Sequence, residues 1–366
     1  MSHLYLHVPF CRRRCSYCDF QIAVRRDVPS RAFVEEVRAE QAIRGLALAP
    51  FETVYLGGGT PSLLDADALA DLIAAFPRRG GAEVTIEANP EDVTPLHAAS
   101  WRAAGVNRVS LGVQSFDPAV LSWMHRPHGP EAPAAAMAVL RDAGIANVSV
   151  DLIFALPSSL RRDLARDLDL LLALTPDHVS AYGLTVEDKT PLGRWVRDGR
   201  THPAPDERYE AEFLTVRETL TTVGFDHYEI SNYARAGRRA RHNSAYWSGA
   251  EYVGLGPAAH GFASGVRRWN LGPYAAWARA VRWGSDPIAG EERPDDRSRA
   301  LEQVYLGLRT NAGIPANTPS VDPTAVAAML AAGWLTRKGD RLQATPAGWL
   351  RIDAIVPRLT TLADGG

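Results

Sequence analysis

Six short runs rich in apolar and β-branched residues alternate with helical patterns along the first half of the chain. They are Leu4–Val8, Thr53–Leu56, Glu83–Glu87, Arg108–Val113, Val148–Phe154 and His178–Leu184. This alternation is the strongest constraint on the fold. Strands separated by helices pair in parallel through right-handed crossovers, so the class is α/β. Six such units suit a partial (β/α)6 barrel of the TIM type better than a closed eight-fold one, and ligands then belong at the C-terminal strand ends. Ser30 is placed to cap a helix running to Gly45, with Phe33, Val34, Val37 and Ile43 as its apolar face. Thr94-Pro95 reads as the N-cap and first turn of another helix, and Asp206 to Val223 as a further one stopped by Gly224.

Composition changes after this region. Residues 226–290 are rich in aromatics, among them Trp247, Trp269, Trp277 and Trp283. Residues 286–298 are polar and turn-prone, which marks a boundary. The remainder reads as two helices, two strand-like runs around Gly339-Asp340, and a last helix from Thr345-Pro346. Three regions follow: a barrel over 1–225, an aromatic-rich segment over 226–290, and a small C-terminal winged-helix-like α+β domain over 291–366. A wing can read DNA, but this one carries few basic residues and no basic stripe. With 40 basic and 42 acidic residues the chain has no overall basic field, so nucleic acid is not an expected partner. The start, MSHLYLHVPF, lacks the pattern of a signal peptide, and no stretch approaches the ~20 apolar residues of a membrane span. A cytoplasmic location is expected, where thiols stay reduced.

All three cysteines, Cys11, Cys15 and Cys18, fall within eight residues. Three thiols cannot make a disulfide framework, and thiolates favour zinc or iron–sulfur clusters. Structural zinc wants four closed ligands, which His3 or His7 could complete. A four-iron cluster held by three thiolates explains the count better and leaves one iron open to a small molecule. The second feature is Gly57-Gly58-Gly59-Thr60-Pro61 at the end of the second strand. Consecutive glycines there admit close backbone approach by a ligand, and with no following lysine the segment is not a phosphate loop. A tight turn is the plainer alternative. The third feature is His242-Asn243-Ser244-Ala245-Tyr246-Trp247. Neutral imidazole is a common haem ligand, and Tyr246, Trp247 and Trp269 could wall a porphyrin whose propionates Arg238, Arg239 and Arg241 could meet. An aromatic core patch with a satisfied histidine is the competing reading.

These stretches resemble the radical S-adenosylmethionine superfamily, and within it the coproporphyrinogen III dehydrogenase-like group and its haem chaperone family, HemW. The resemblance runs over nearly the whole chain, through YLHVPFCRRRCSYCDF, YLGGGTPS, IEANPE, GVNRVSLGVQSF, RPH, VSVDLIFALP, HVSAYGLTVE, HYEISNYAR, RHNSAYW, YVGLGPAAHGF and RRWN. It implies a [4Fe-4S] cluster on Cys11, Cys15 and Cys18. It implies an S-adenosylmethionine site lined by Tyr5, Tyr17, Gly58, Gly59, Thr60, Glu87, Gln114, Arg126 and Asp151. It implies haem bound at His242, Tyr246 and Trp247. The cofactor carries an ammonium, a carboxylate, a sulfonium and ribose hydroxyls, for which Asp, Glu, Gln and Arg are natural partners.

Two functional classes follow from the resemblance. One is a haem chaperone delivering haem to respiratory haem proteins. The other is an oxygen-independent coproporphyrinogen III dehydrogenase, a radical enzyme of porphyrin biosynthesis. The dehydrogenases carry a fourth cysteine two positions after the third, where this chain has Phe20. They have an N-terminal extension that is not expected here, and they lack the HNxxYW motif. All three features favour the chaperone, with no catalytic residue assigned. A plain electron carrier fits less well, since such clusters are usually closed by four cysteines. Peripheral membrane contact through a respiratory partner is compatible with this reading. The chain departs from the family where Ala155 stands for the usual glycine before Leu156-Pro157, and where Ser158-Ser159 stands for Gly-Gln.

Overall fold

A computed structural model describes residues 1–46 and 49–360. The chain forms two compact units. One comprises Met1–Val216 with Glu251–Glu292, and the other Arg217–Ala250 with the chain from Arg293 onward. The aromatic-rich stretch 226–290 contributes to both.

In the first unit all six expected strands form: β1 (His3–Val8), β2 (Phe51–Gly58), β3 (Arg78–Ala88), β4 (Arg108–Gln114), β5 (Asn147–Phe154) and β6 (His178–Gly183). They lie in that order and pair in parallel throughout. A seventh parallel strand, β7 (Tyr252–Leu255), lies on the other side of β1, followed by β8 (His260–Ala263), β9 (Val266–Asn270) and β10 (Ile288–Glu292) in antiparallel order. The result is the open, partial barrel with intervening helices anticipated from the alternation.

Period-2 alternation sorts the strand residues onto two faces. Leu4, Leu6, Val54, Leu56, Val84, Ile86, Val109, Leu111, Val148, Val150 and Val179 are buried on one face. The residues between them are polar or small: Tyr5, His7, Tyr55, Gly57, Thr85, Glu87, Ser110, Gly112, Ser149, Asp151 and Ser180. Register aligns these into rows, with Glu87, Ser110, Ser149 and His178 abreast and Gly112, Asp151 and Ser180 in the next. The sheet therefore carries its chemistry on one face, towards the C-terminal strand ends.

Three helices test the boundary expectations. In α1 (Ser30–Ile43) Pro29 holds the cap position, and Ser30 is not the expected cap; its hydroxyl accepts the Asp65 N–H at 3.1 Å instead. In the Pro95–Ala104 helix Thr94 caps as expected, accepting the His97 N–H at 3.2 Å. The Asp206–Thr222 helix ends before Gly224, whose φ is +87°. The aromatic segment 251–292 is fastened to α1 by Glu40, which is fully buried. Its carboxylate accepts from the Gly256 N–H, Asn270 Nδ2 and Trp277 Nε1 at 2.8, 2.7 and 3.0 Å, and Arg44 supplies the counter-charge at 2.9 Å. Trp277 and Asn270 are thereby structural.

The second unit holds a hairpin of Asp226–Glu229 and Asn232–Ala234, the Arg241–Trp247 helix, and the C-terminal region. That region orders as helix Asp296–Leu308, strand Ile314–Pro315, helix Pro323–Ala331, strands Leu335–Lys338 and Arg341–Ala344, then two short helices from Pro346. The three strands form one antiparallel sheet with the turn at Gly339-Asp340, which is the winged-helix-like arrangement. Among the described residues no helix is long and apolar enough to cross a membrane.

Candidate functional site

The cysteine loop leaves the C-terminal end of β1. It is closed by short parallel pairing of Phe10–Cys11 with Ala23–Val24. Ser16 pins its middle, donating its N–H to the Met124 carbonyl at 3.2 Å and accepting the Leu192 N–H at 2.8 Å. Tyr17 packs on an apolar cluster of Val120, Met124, Ile153 and Leu156. The loop is therefore held by the fold at both ends and at its centre.

The glycine segment is zipped onto the start of this loop. The Gly59 and Thr60 N–H groups donate to Val8 and Phe10 carbonyls at 2.8 and 2.7 Å, and Thr60 Oγ1 lies 3.4 Å from Cys11 Sγ. Each glycine is required by closeness. A Cβ on Gly57 would meet the Tyr55 ring at 2.7 Å, one on Gly59 the Phe10 carbonyl at 2.7 Å, and one on Gly58 the His7 ring at 2.5 Å. Gly58 also adopts φ +107°, a conformation side-chain-bearing residues avoid.

The strand ends supply the charged groups. Glu87 accepts from Tyr55 OH at 2.7 Å and the Gly58 N–H at 3.0 Å. Burial, reinforced by nearby Asp151, pushes its carboxyl up to about 7 against the relief from Tyr55. Asp151 accepts from Ser110 Oγ at 3.1 Å, and burial pushes it up to about 6. Tyr5 stacks on Tyr55 with ring centroids 6.1 Å apart, and its hydroxyl lies 3.1 Å from His7 Nδ1. The Arg126 guanidinium reaches Asn89 Oδ1 at 2.6 Å, the Gly112 carbonyl, and Cys15 Sγ at 3.8 Å. Gln114 leaves the sheet at a bulge with φ +70°, and its amide nitrogen passes close to Gly112. Tyr5, Tyr17, Gly58, Gly59, Thr60, Glu87, Gln114, Arg126 and Asp151 thus lie at or beside one set of strand ends.

The residues fit the groups expected of them. The three thiols are half-buried and free of disulfides. Burial pushes the Cys11 thiol up to about 11 and the Cys18 thiol up to about 12, so bare thiolates are disfavoured there and a bound metal would be what ionises them. Among the described residues no three His, Cys, Asp or Glu side chains converge tightly enough to hold a metal ion, so the thiols would have to close around a bound cluster. The histidines that zinc would need are engaged, His3 with Thr53 Oγ1 at 3.0 Å and His7 with the Gln21 carbonyl at 3.0 Å. Arg126 Nε is buried without a hydrogen-bond partner, a polar atom beside the strand ends that suits a polar ligand.

The histidine motif belongs to the second unit. His242 is buried on the Arg241–Trp247 helix, with Nε2 2.8 Å from Tyr246 OH and the two rings edge-on at 4.9 Å. The structure brings His242 and Tyr246 together as a hydrogen-bonded pair. Trp247 lies under the Arg309 guanidinium at 5.3 Å from the ring centroid. Arg239 is paired with Asp226, its Nε at 2.9 Å from the carboxylate, and is thus committed within the fold. Trp269 stacks with His260 on the antiparallel strands of the first unit.

Some participants escape a reading of motifs. Tyr55, Asn89, Ser110 and Ser180 hold Glu87, Arg126 and Asp151 in place, yet each alone looks like an ordinary strand or loop residue. The signal was the alternation itself: polar side chains at every second position of otherwise apolar strands.

Comparison with known proteins agrees with this geometry. The sequence model of the radical SAM superfamily matches residues 5–171, and that of the HemN C-terminal domain residues 295–351. A partial barrel with a three-cysteine loop at the end of its first strand is the radical SAM class. The chain is 40% identical to the heme chaperone HemW of Mycobacterium tuberculosis, over 97% of this chain and 94% of that one. It is 32% identical to HemW of Bacillus subtilis, over 86% and 85%. The coproporphyrinogen III oxidase HemN of Escherichia coli shares the fold, with a TM-score of 0.84 at 20% identity over 98% and 90% of the two chains. The chain belongs to the heme chaperone HemW family of radical SAM proteins.

Proposed function

We propose that this protein carries a [4Fe-4S] cluster on Cys11, Cys15 and Cys18, binds S-adenosylmethionine beside it, and binds haem for delivery to respiratory haem proteins. The observation that carries the first part is the stitching of the cysteine loop to the glycine segment, with Glu87, Asp151 and Arg126 gathered at the same strand ends. Its relatives' name, heme chaperone, supports the second.

A bound cluster would offer one open iron and a single-electron potential. The chain's own residues do the rest. The Gly58 and Gly59 backbone leaves room for the methionyl end of the cofactor. Glu87, held by Tyr55, and Asp151, held by Ser110, offer negative charge to its ammonium and sulfonium. Arg126 offers a cation to its carboxylate. Tyr5 and Tyr17 provide ring faces. His242 would hold haem iron through a ring nitrogen, and its Nε2 would have to release the Tyr246 hydroxyl to do so; Tyr246 and Trp247 would offer aromatic contact.

Anaerobic reconstitution tests both parts. Close to four irons per chain are expected, and Cys15→Ala should lose them; an intact cluster in that variant would sink the ligand assignment. With haem added, the Soret band should weaken or shift in His242→Ala and strengthen in Tyr246→Phe, where the competing hydroxyl is gone. Unchanged spectra in both would move the ligand elsewhere. Conversion of coproporphyrinogen III to protoporphyrinogen by the reconstituted protein would favour the dehydrogenase instead.

A further inference from the structure

Haem carries two propionate carboxylates, and a protein that holds it by a histidine alone leaves those charges to water. Arg239, beside the histidine motif in sequence, is already paired with Asp226. A different arginine reaches the motif from much later in the chain. Arg309 caps the C-terminal end of the Asp296–Leu308 helix. Its guanidinium lies over the rings of Trp247 and Tyr305, 5.3 and 5.0 Å from their centroids. All three residues belong to the second unit, so the contact is internal to one compact body.

The hydrogen bonding of this guanidinium is incomplete. Nη1 donates to the Tyr305 hydroxyl at 2.7 Å. Nε is buried without a partner, and Nη2 makes no hydrogen bond among the described residues. No carboxylate of those residues lies within ion-pair distance of it. Asp353 is met only through the Tyr305 hydroxyl, which donates to it at 3.1 Å. Glu229 feels the Arg309 charge, but burial pushes its carboxyl up to about 7. A half-buried cation between two rings, with one edge of its fork unmet, costs more than the ring contacts return. A carboxylate is the ligand that such an edge favours, with Nε and Nη2 donating side by side.

We infer that Arg309 is a propionate anchor: its Nε–Nη2 edge takes one carboxylate of a porphyrin whose iron is held at His242. The inference rests on the haem reading above. His242 and Trp247 stand five residues apart on one helix, roughly 7.5 Å along its axis, within the span from a porphyrin's iron to the end of its propionate. Trp247 is the last residue of the motif and the ring over which Arg309 sits, so imidazole, indole and guanidinium follow one another along one short helix. The pairing gives the site a selectivity that histidine cannot supply, because imidazole meets only the iron. Porphyrins with a free carboxylate are then held more tightly than the same ring without one.

The test compares haem with haem dimethyl ester, which has the same ring and iron but no free carboxylate, on the full chain. Soret titration of the parent should favour haem by about tenfold or more, the worth of one charge-assisted pair. Arg309→Gln should lose that factor for haem and bind the ester like the parent. Arg309→Lys keeps the charge without the fork and should fall between the two. Arg351, whose guanidinium lies 5.9 Å over Trp334 instead, is the control, and Arg351→Gln should keep the parent's preference. Equal affinity of the parent for haem and its ester overturns the inference. So does a loss in Arg309→Gln that is the same for both ligands, which would mark packing alone. Should Arg309→Gln fail to fold, the lysine variant carries the same comparison. Unaltered Soret bands in His242→Ala, with the arginine-dependent preference intact, would instead move the iron ligand and leave the anchor standing. A parent that binds neither porphyrin would remove the haem reading and the anchor with it.

Discussion

Glu87 and Asp151 show how one residue's surroundings determine its chemistry. Both are carboxyls taken out of water and held neutral longer than usual, at about 7 and about 6. A raised carboxyl pKa means that the folded chain binds protons the unfolded chain has released, so ionising it above pH 7 costs the fold. A cationic ligand removes that cost by pairing with the ionised form. S-adenosylmethionine affinity should therefore rise with pH between about 5.5 and 7.5, and Glu87→Gln should lower it about ten- to a hundredfold and flatten that rise. Calorimetric titration across this range checks it, and an unchanged profile in Glu87→Gln would remove Glu87 from the site. Ala155 is a second lesson. It takes φ +56°, in the left-handed region that favours glycine. The left-handed conformation costs an alanine ~1–2 kcal/mol. Its buried methyl returns ~0.8 kcal/mol, and its stiffer unfolded chain ~0.4–1 kcal/mol. The terms nearly cancel, so Ala155→Gly should shift the melting temperature by no more than about 2 °C, whereas Ala155→Val, β-branched in the same conformation, should cost upwards of about 2 kcal/mol.

Among the elements, the glycine segment decides most. It ends β2, accepts the close approach of the cysteine loop's first residues, and presents the Gly58 N–H to Glu87. Gly58→Ala brings both a forbidden φ and a collision with the His7 ring, and should cost upwards of about 2 kcal/mol together with most of the S-adenosylmethionine affinity. Gly105, also at positive φ but with its nearest neighbour, the end of the Arg78 side chain, at an ordinary contact distance of 3.6 Å, is the control. Gly105→Ala should cost about 1 kcal/mol and leave cofactor binding intact. Thermal unfolding and titration on the two variants separate backbone strain from site damage. The strands, the cysteine loop and this turn were readable in sequence because each is local: alternation, spacing and a glycine run need no long-range contact. The Ser30 cap was misread for the opposite reason, since the partner that claims its hydroxyl, the Asp65 N–H, comes from another element.

At the scale of the molecule, burial of titratable groups makes stability respond to pH. Glu229 of the second unit is fully buried, with Oε1 lacking a partner and its carboxyl pushed up to about 7 by burial. The fold keeps it neutral in acid, and the cost of ionising it grows as pH rises from the unfolded value of 4.5 to about 7, where it amounts to about 3 kcal/mol. Glu229→Gln should thus be near neutral at pH 5 and stabilising at pH 8; equal effects at both pH values would show that Glu229 ionises freely.

Sequence by itself determined the parallel α/β class, the six barrel strands, the three thiols in one loop, the glycine turn and the candidate charged residues, because periodicity and spacing are properties of the chain alone. Only the tertiary structure decided which polar residues stand abreast, since register between strands sets that Glu87 meets Ser110 and Asp151 meets Ser180. Tertiary pairing also returned Tyr252–Leu255 as a parallel neighbour of the first strand and divided the aromatic segment between two units. It buried His242 against Tyr246, so that a motif that reads as an open imidazole has its Nε2 engaged by a hydroxyl. Each of these depends on partners distant in sequence, and so on the closing of the whole fold.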